Sequence, residues 1–175
     1  MAAGSGSAEL EDTVMRGDGR GAGHETGSAE RANFVLVSCE HAGNEVPPAW
    51  AGVFSAGGPD GLPSEATEAI LAGHRGWDPG AAGVASRLAS TLAAPLLVHR
   101  VTRLLADVNR SVDAPDLFSE YTRGLAGAER ARLLAEVHAP HRASVERIAA
   151  AAIRSGHRVL HVSVHSFADT LDGVR

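Results

Sequence analysis

The sequence predicts an α/β fold in which a parallel or mixed sheet is flanked by helices. Three apolar segments have the length and composition of buried strands, at 33–39, 96–101 and 158–165. Segments with helical patterns separate them, and strands that alternate with helices are typical of a parallel sheet. The first segment has a continuous apolar run at 34–37 rather than apolar residues at alternate positions, which indicates a strand that is covered on both faces.

Two longer helices are predicted between these strands. The first begins at Asp78 and Pro79, where Asp78 caps the helix and Pro79 occupies its first turn, and it ends near residue 94. The second extends over residues 125–155 and is rich in Ala, Leu and Arg. Pro140 lies inside this second helix and is expected to kink or split it, because proline cannot donate the regular hydrogen bond.

The chain divides into a leader and one domain. Residues 1–32 are rich in Gly, Ala, Ser and charge, so they are predicted to form a disordered leader. Residues 33–175 form the α/β domain. No helical pattern follows the third strand segment, although parallel sheets need several strands and cover on both faces. We therefore expect the domain to be incomplete, as in a truncated protein or a fragment.

Composition excludes several classes of function. The net charge is −5, and the 16 basic residues, all of them Arg, are spread along the 175 residues, so no nucleic-acid partner is expected. The absence of Lys excludes a Schiff-base or phosphate-loop lysine. No apolar run approaches about 18 residues, so no membrane partner is expected, and the single cysteine fits a cytoplasmic location. The oligomeric state stays open.

Two histidines at the ends of distant strand segments are the candidate centre of a functional site. His41 follows the first segment and His165 closes the third. Because the carboxyl ends of parallel strands meet at one edge of a sheet, the two imidazoles are expected to converge on one metal ion. Zinc in catalytic sites takes three protein ligands, often two His and a carboxylate. Glu40, Glu45 and Asp78 are the candidates for that carboxylate.

An Asn-Arg pair after a further sheet-like segment at 104–108 supplies the candidate substrate contacts. Arg110 offers a planar set of donors for a carboxylate or a developing oxyanion, and Asn109 lies beside it. Arg103 is a second candidate for binding an acidic substrate. His138 is placed at the substrate site as well, because Pro140 interrupts the helical pair that it would otherwise form with the next histidine.

These segments together resemble the N-formylglutamate amidohydrolase family. The resemblance extends over about residues 34–168 and rests on motifs that occur in a consistent order. They are Val37-Ser38-Cys39-Glu40-His41-Ala42-Gly43-Asn44 with Pro47, Gly76-Trp77-Asp78-Pro79-Gly80-Ala81, Arg103 through Asp107-Val108-Asn109-Arg110, His138-Ala139-Pro140-His141, and His161-Val162-Ser163-Val164-His165-Ser166-Phe167.

The resemblance implies a fold of the zinc-exopeptidase type and one zinc ion bound by His41 and His165. Related carboxypeptidases carry a Glu three residues after the first His, where this chain has Asn44, so Asp78 is favoured over Glu45 as the third ligand. Arg110 is then the catalytic residue at the reacting carbonyl, and Arg103, Asn109 and His138 bind substrate. In carboxypeptidase-like enzymes a Glu late in the sequence acts as the general base. This chain shows no counterpart of that Glu after Phe167.

The predicted function is metal-dependent hydrolysis of the amide bond of a small, acidic N-acyl amino acid such as N-formylglutamate. The first alternative is a truncated, non-catalytic fragment that binds a metal or ligand without turnover. The second is a cysteine amidohydrolase in which Cys39 acts with a histidine. Chelation and thiol alkylation distinguish the two kinds of enzyme.

Overall fold

A parallel three-stranded sheet lies at the centre of the computed structural model, which describes residues 32–55 and 64–168. Strand β1 spans Asn33–Cys39, β2 spans Leu96–Val98 and β3 spans Arg158–Ser163. The strand order is β2-β1-β3, and both pairs are parallel. The predicted α/β fold with helices around a parallel sheet is confirmed, and β1 is the middle strand.

Helices lie between successive strands along the chain and cover the sheet. Those of the described residues are α1 (Gly52–Ser55), α2 (Ser64–Ala72), α3 (Ala81–Thr91), α4 (Gly127–Leu133) and α5 (Ala139–Arg154). A 3₁₀ turn at Pro48–Trp50 precedes α1, and a π-helical turn at Leu134–His138 joins α4 to α5. The helix predicted over 125–155 is thus interrupted just before Pro140, as proline there requires. No described helix has the length and apolar character needed to cross a bilayer.

The carboxyl-terminal part of strand β1, residues 36–39, is buried on both faces. Side chains alternate along a strand, so Leu36 and Val37 point to opposite faces, and both are fully buried. Val37 and Cys39 pack against α3 through alanines at four-residue spacing, namely Ala81, Ala85 and Ala89. These small residues let α3 approach the sheet closely, and each fully buried Leu or Val contributes about 1.5–3 kcal/mol. Burial on both faces explains why apolar residues follow one another in β1 instead of alternating with polar residues.

Three strand predictions differ from the structure. The third strand was predicted to reach residue 165 but ends at Ser163. The second strand was predicted to reach residue 101 but ends at Val98, and Val101 forms only an isolated bridge with Glu45. The segment 104–108 was predicted to be sheet-like and instead forms turns. Two of its carbonyl groups accept from side-chain hydroxyls rather than from a neighbouring strand. The carbonyl of Leu104 accepts from Ser119 Oγ, and that of Leu105 accepts from Thr122 Oγ1 at 2.8 Å. An apolar run of this length therefore marked burial and not a strand.

A second apolar cluster holds the segment that carries the Asn-Arg pair. Leu105, fully buried, packs in this cluster with Trp50, Phe54, Tyr121 and Val137. The cluster joins the 3₁₀ turn, α1 and the π-helical turn to the loop after β2. It therefore fixes the backbone just before Asp107 at the carboxyl end of the sheet.

Strand β3 forms an edge of the described sheet. It pairs with β1 alone among residues 32–55 and 64–168, and Leu160 on it is 58% exposed. Of the segments considered in the sequence analysis, the predicted leader at 1–32 lies outside the described residues except for Ala32. The glycine-rich segment at 56–63 and residues 169–175 lie outside them as well.

Candidate metal centre

Three side chains that the sequence analysis selected as metal ligands come together at the carboxyl end of the sheet. His41 follows β1, His165 follows the adjacent β3, and Asp78 lies just before α3. One ligand atom from each of the three lies within 4.8 Å of the other two. His41 and Asp78 are buried and His165 is half-buried, so the cluster is accessible from one side.

Asp78 reaches the site because it does not cap the helix. The prediction that Asp78 is the N-cap of α3 is wrong: the cap residue is Gly80, with φ of 84°, and no side chain caps this helix. Glycine tolerates this left-handed conformation because it has no Cβ. The backbone N–H of Asp78 donates to the carbonyl of His41 at 2.9 Å, which ties the turn to the end of β1. Both carboxylate oxygens are thereby free for contacts within the site.

His41 is oriented by a second carboxylate. Its Nε2 lies 2.7 Å from Asp107 Oδ1, and its Nδ1 lies 3.5 Å from Asp78 Oδ2. With Nε2–H donating to Asp107, Nδ1 carries the lone pair. That buried nitrogen has no hydrogen-bond partner among the described residues. A buried nitrogen without a partner costs free energy unless a bound group contacts it. A carboxylate that is hydrogen-bonded to the opposite ring nitrogen is a usual feature of a metal-binding histidine.

His165 and Arg103 complete the surroundings of Asp78. His165 Nδ1 lies 2.8 Å from Asp78 Oδ2, and Arg103 donates to the other oxygen, Oδ1. Burial by itself raises the pKa of Asp78, but the hydrogen bond and positive charge of Arg103 outweigh burial and hold the pKa below its ordinary value. The carboxylate is therefore ionised at neutral pH, as a metal ligand must be.

Asp107 connects His41 to the Asn-Arg pair. Its Oδ1 accepts the backbone N–H of Asn109 at 2.9 Å, and its Oδ2 lies 3.7 Å from Arg110 Nε. Burial raises the pKa of Asp107, yet the hydrogen bond that His41 Nε2 donates to it outweighs this effect and lowers it. The half-exposed guanidinium of Arg110 also lies 3.0 Å from Asp116. Arg110 is thus beside the cluster and open to solvent.

The remaining predicted substrate residues differ in position. Asn109 is exposed beside Arg110. His138 is buried, and its Nε2 donates to the backbone carbonyl of Arg110 at 2.8 Å. Arg103 is engaged with Asp78, as described above. His138 therefore contacts the loop that carries Arg110, and Arg103 contacts the carboxylate of Asp78. The side chains of Arg110 and Asn109 are exposed to solvent instead.

Several considered residues lie outside the three-residue cluster. Glu45, the alternative third ligand, is exposed, and its backbone pairs with the loop after β2. Glu40 is buried, and its Oε2 lies 3.6 Å from Nε2 of His165, whose other ring nitrogen lies beside Asp78. Sequence reasoning weighed Glu40 only as a ligand and did not anticipate its serine partners, Ser38 and Ser163. The available signal was a serine near the carboxyl end of each of the two strands, Ser38 in β1 and Ser163 in β3.

Cys39 is predicted to be unreactive in the folded protein. It is fully buried, and burial together with the charges of Glu40 and Asp78 raises the pKa of its thiol to about 11. Roughly one thiol in a thousand is then ionised at pH 8. We expect iodoacetamide at pH 8 to modify the folded chain about 100-fold more slowly than the urea-unfolded chain, measured by mass spectrometry. Equal rates would favour the cysteine hydrolase.

The fold and the cluster define an α/β protein with a candidate metal site, and comparison with known proteins gives the family. Residues 34–174 match the family described as N-formylglutamate amidohydrolase. The chain belongs to this amidohydrolase family, as the resemblance of its motifs implied. Among curated proteins, no significant match is found.

A solved structure supports the same fold. The crystal structure of gene product Atu2144 from Agrobacterium tumefaciens is similar to this chain with a TM-score of 0.68 and 28% sequence identity. The similarity covers 82% of this chain and 56% of that chain. The present chain thus corresponds to little more than half of the length of that structure.

Proposed function

We propose that this chain contributes the metal and substrate sites of a zinc-dependent amidohydrolase that cleaves N-formyl amino acids such as N-formylglutamate. The observation that carries the proposal is the convergence of His41, Asp78 and His165, whose ligand atoms lie within 4.8 Å of one another. Membership of the N-formylglutamate amidohydrolase family supports the reaction class and the substrate.

The donor set fits zinc. Two imidazole nitrogens and one carboxylate oxygen form a usual set of protein ligands at catalytic zinc sites, which keep a further position open. The orphaned Nδ1 of His41 and the ionised state of Asp78 both suit a cation between them. A zinc ion held there would act as a Lewis acid towards the amide carbonyl and would activate a water molecule.

The neighbouring side chains have separate proposed roles. Arg110, half-exposed beside Asp107, would bind the substrate carboxylate or the carbonyl oxygen as negative charge develops on it. Asn109 would add a polar contact to the substrate. Arg103 would hold Asp78 in its ionised, ligand-directed position, and His138 would fix the backbone of Arg110. The loop geometry thereby places a cationic group next to the metal ligands.

Hydrolysis by the zinc-loaded chain is the direct test. We expect formate release from N-formylglutamate in the presence of one equivalent of zinc, and loss of this activity after chelation. Arg110→Met is expected to lower kcat/KM by about 100-fold, because a charged donor at the reacting carbonyl is removed. Arg154→Met, at the exposed end of α5, serves as the matched control and should leave kcat/KM unchanged.

A second candidate function is metal or ligand binding without turnover. It is favoured by one observation, namely that the chain corresponds to 56% of the length of the similar solved chain. Stoichiometric zinc binding without formate release would support this candidate over the amidohydrolase. Absence of both zinc binding and formate release would contradict both.

A further inference from the structure

Glu40 is a buried carboxylate beside the candidate metal centre that lies outside the ligand cluster. It directly follows β1 and is 5% exposed. The hydroxyls of Ser38 and Ser163 contact its carboxylate, and Nε2 of His141 lies 3.7 Å from Oε1. A buried charge of this kind is retained only where donors surround it. The position of those donors shows what the charge does.

Two serines on neighbouring strands donate to the two oxygens of Glu40. Ser38 on β1 and Ser163 on β3 are direct partners in the parallel register. Ser38 Oγ donates to Oε1 at 2.5 Å, and Ser163 Oγ donates to Oε2 at 2.5 Å. The register of the sheet therefore places one hydroxyl on each side of the carboxylate.

Each serine then accepts a hydrogen bond from a histidine. A hydroxyl has one hydrogen, and Glu40 has already taken it, so the oxygen can only accept from a further partner. Ser163 Oγ lies 2.9 Å from His165 Nε2, and Ser38 Oγ lies 2.7 Å from His161 Nε2. These contacts place a hydrogen on Nε2 of each histidine. For His165 the opposite nitrogen, Nδ1, points to Asp78 Oδ2.

We infer that Glu40 and Ser163 are positioning residues that hold His165 with Nδ1 directed at the metal. The inference rests on the proposed metal site. His41 is held by Asp107 directly, whereas His165 is held by Glu40 through the hydroxyl of Ser163. Each of the two histidines is thus held by a carboxylate. Asp107 contacts His41 directly, and Glu40 acts on His165 through the hydroxyl of Ser163. Such supporting contacts fix the ring orientation and the tautomer of a ligand histidine.

Ser163→Ala is the variant that tests the inference. Ser163 is exposed, so removing its hydroxyl leaves no cavity in the core. Zinc affinity, measured by competition with a chromophoric chelator, is expected to fall about 10-fold. Glu40→Gln keeps the shape but removes the charge, and a comparable loss is expected. Ser163→Thr restores the hydroxyl and should bring the affinity back to within about threefold of the unaltered chain.

The control lies at the other end of the same hydrogen-bonded chain. His161→Ala removes the exposed histidine that bonds to Ser38 and should leave zinc affinity unchanged. The cobalt-loaded protein gives a second readout, since a reoriented His165 changes the visible absorption bands and a general loss of stability does not. Circular dichroism confirms that each variant is folded.

The outcomes separate this inference from the proposed function. Zinc bound equally tightly by the unaltered chain, Ser163→Ala and Glu40→Gln would overturn the positioning role and leave the metal site standing. Failure of Ser163→Thr to recover affinity would also contradict the role of the hydroxyl. If the unaltered chain binds no zinc, the proposed function fails first and the inference fails with it.

Discussion

His41→Ala and His165→Ala are each expected to lose stoichiometric zinc. The unaltered chain should retain about one zinc ion per molecule after dialysis, and each variant roughly none, because a site with three protein ligands loses most of its affinity with one imidazole. The expected loss follows from the geometry: each histidine provides a nitrogen within 4.8 Å of the other two ligand atoms. Metal content is measured by inductively coupled plasma mass spectrometry on protein of known concentration.

His74→Ala is the matched control for these two variants. His74 is exposed in the turn after α2 and lies outside the cluster, so its loss should leave one zinc ion per chain. Far-ultraviolet circular dichroism establishes that the variants keep their secondary structure. One zinc ion retained by both His41→Ala and His165→Ala would remove the metal-centre hypothesis.

Gly76→Ala is expected to destabilise the chain by on the order of 3 kcal/mol. A Cβ at residue 76 would lie 2.2 Å from the carbonyl oxygen of Leu71, so backbone must move. The carbonyl of Gly76 also accepts from Thr102 Oγ1 at 3.0 Å and from the backbone N–H of Arg103 at 3.2 Å. Displacement of this turn would therefore shift Asp78 as well. Urea unfolding followed by tryptophan fluorescence measures the loss, and zinc affinity should fall with it.

Gly83→Ala separates steric conflict from the general effect of glycine substitution. Gly83 lies in α3, and a Cβ there would meet nothing within 4 Å. Alanine in a helix loses less conformational entropy on folding than glycine, so this variant should be more stable by about 0.5–1 kcal/mol. Equal stability of the Gly76→Ala and unaltered chains would show that the turn around Asp78 accommodates a side chain.

Part of the fold was predictable because the buried strand leaves a clear pattern. The positions 34–37 are apolar in succession, and the structure shows residues 36–39 of β1 buried on both faces. By contrast, the run over 104–108 is also mostly apolar but forms turns, and side-chain hydroxyls donate to the carbonyls of Leu104 and Leu105. The hydrophobicity of a segment indicates that it is buried. Whether a buried segment is a strand depends on the partners of its backbone hydrogen bonds.

The candidate site was predictable to a similar extent. The sequence by itself determined that His41 and His165 lie at one edge of the molecule, because carboxyl ends of parallel strands share an edge. The family resemblance favoured Asp78 as the third ligand, and the tertiary structure brings Asp78 together with the two histidines. Asp78 carried the signal of a helix cap, and the same oxygens serve capping and ligation, so sequence could not distinguish the roles. The contacts of Asp78 with His165 and Arg103 made the distinction.

The supporting contacts were decided by tertiary structure alone. Asp107 behind His41, and Ser163 between Glu40 and His165, depend on strand register and loop packing across more than sixty residues of chain. Sequence order fixes which residue types are present and their spacing along one strand. The distance between side chains on different strands depends on how the strands pair, and that pairing is a property of the folded chain.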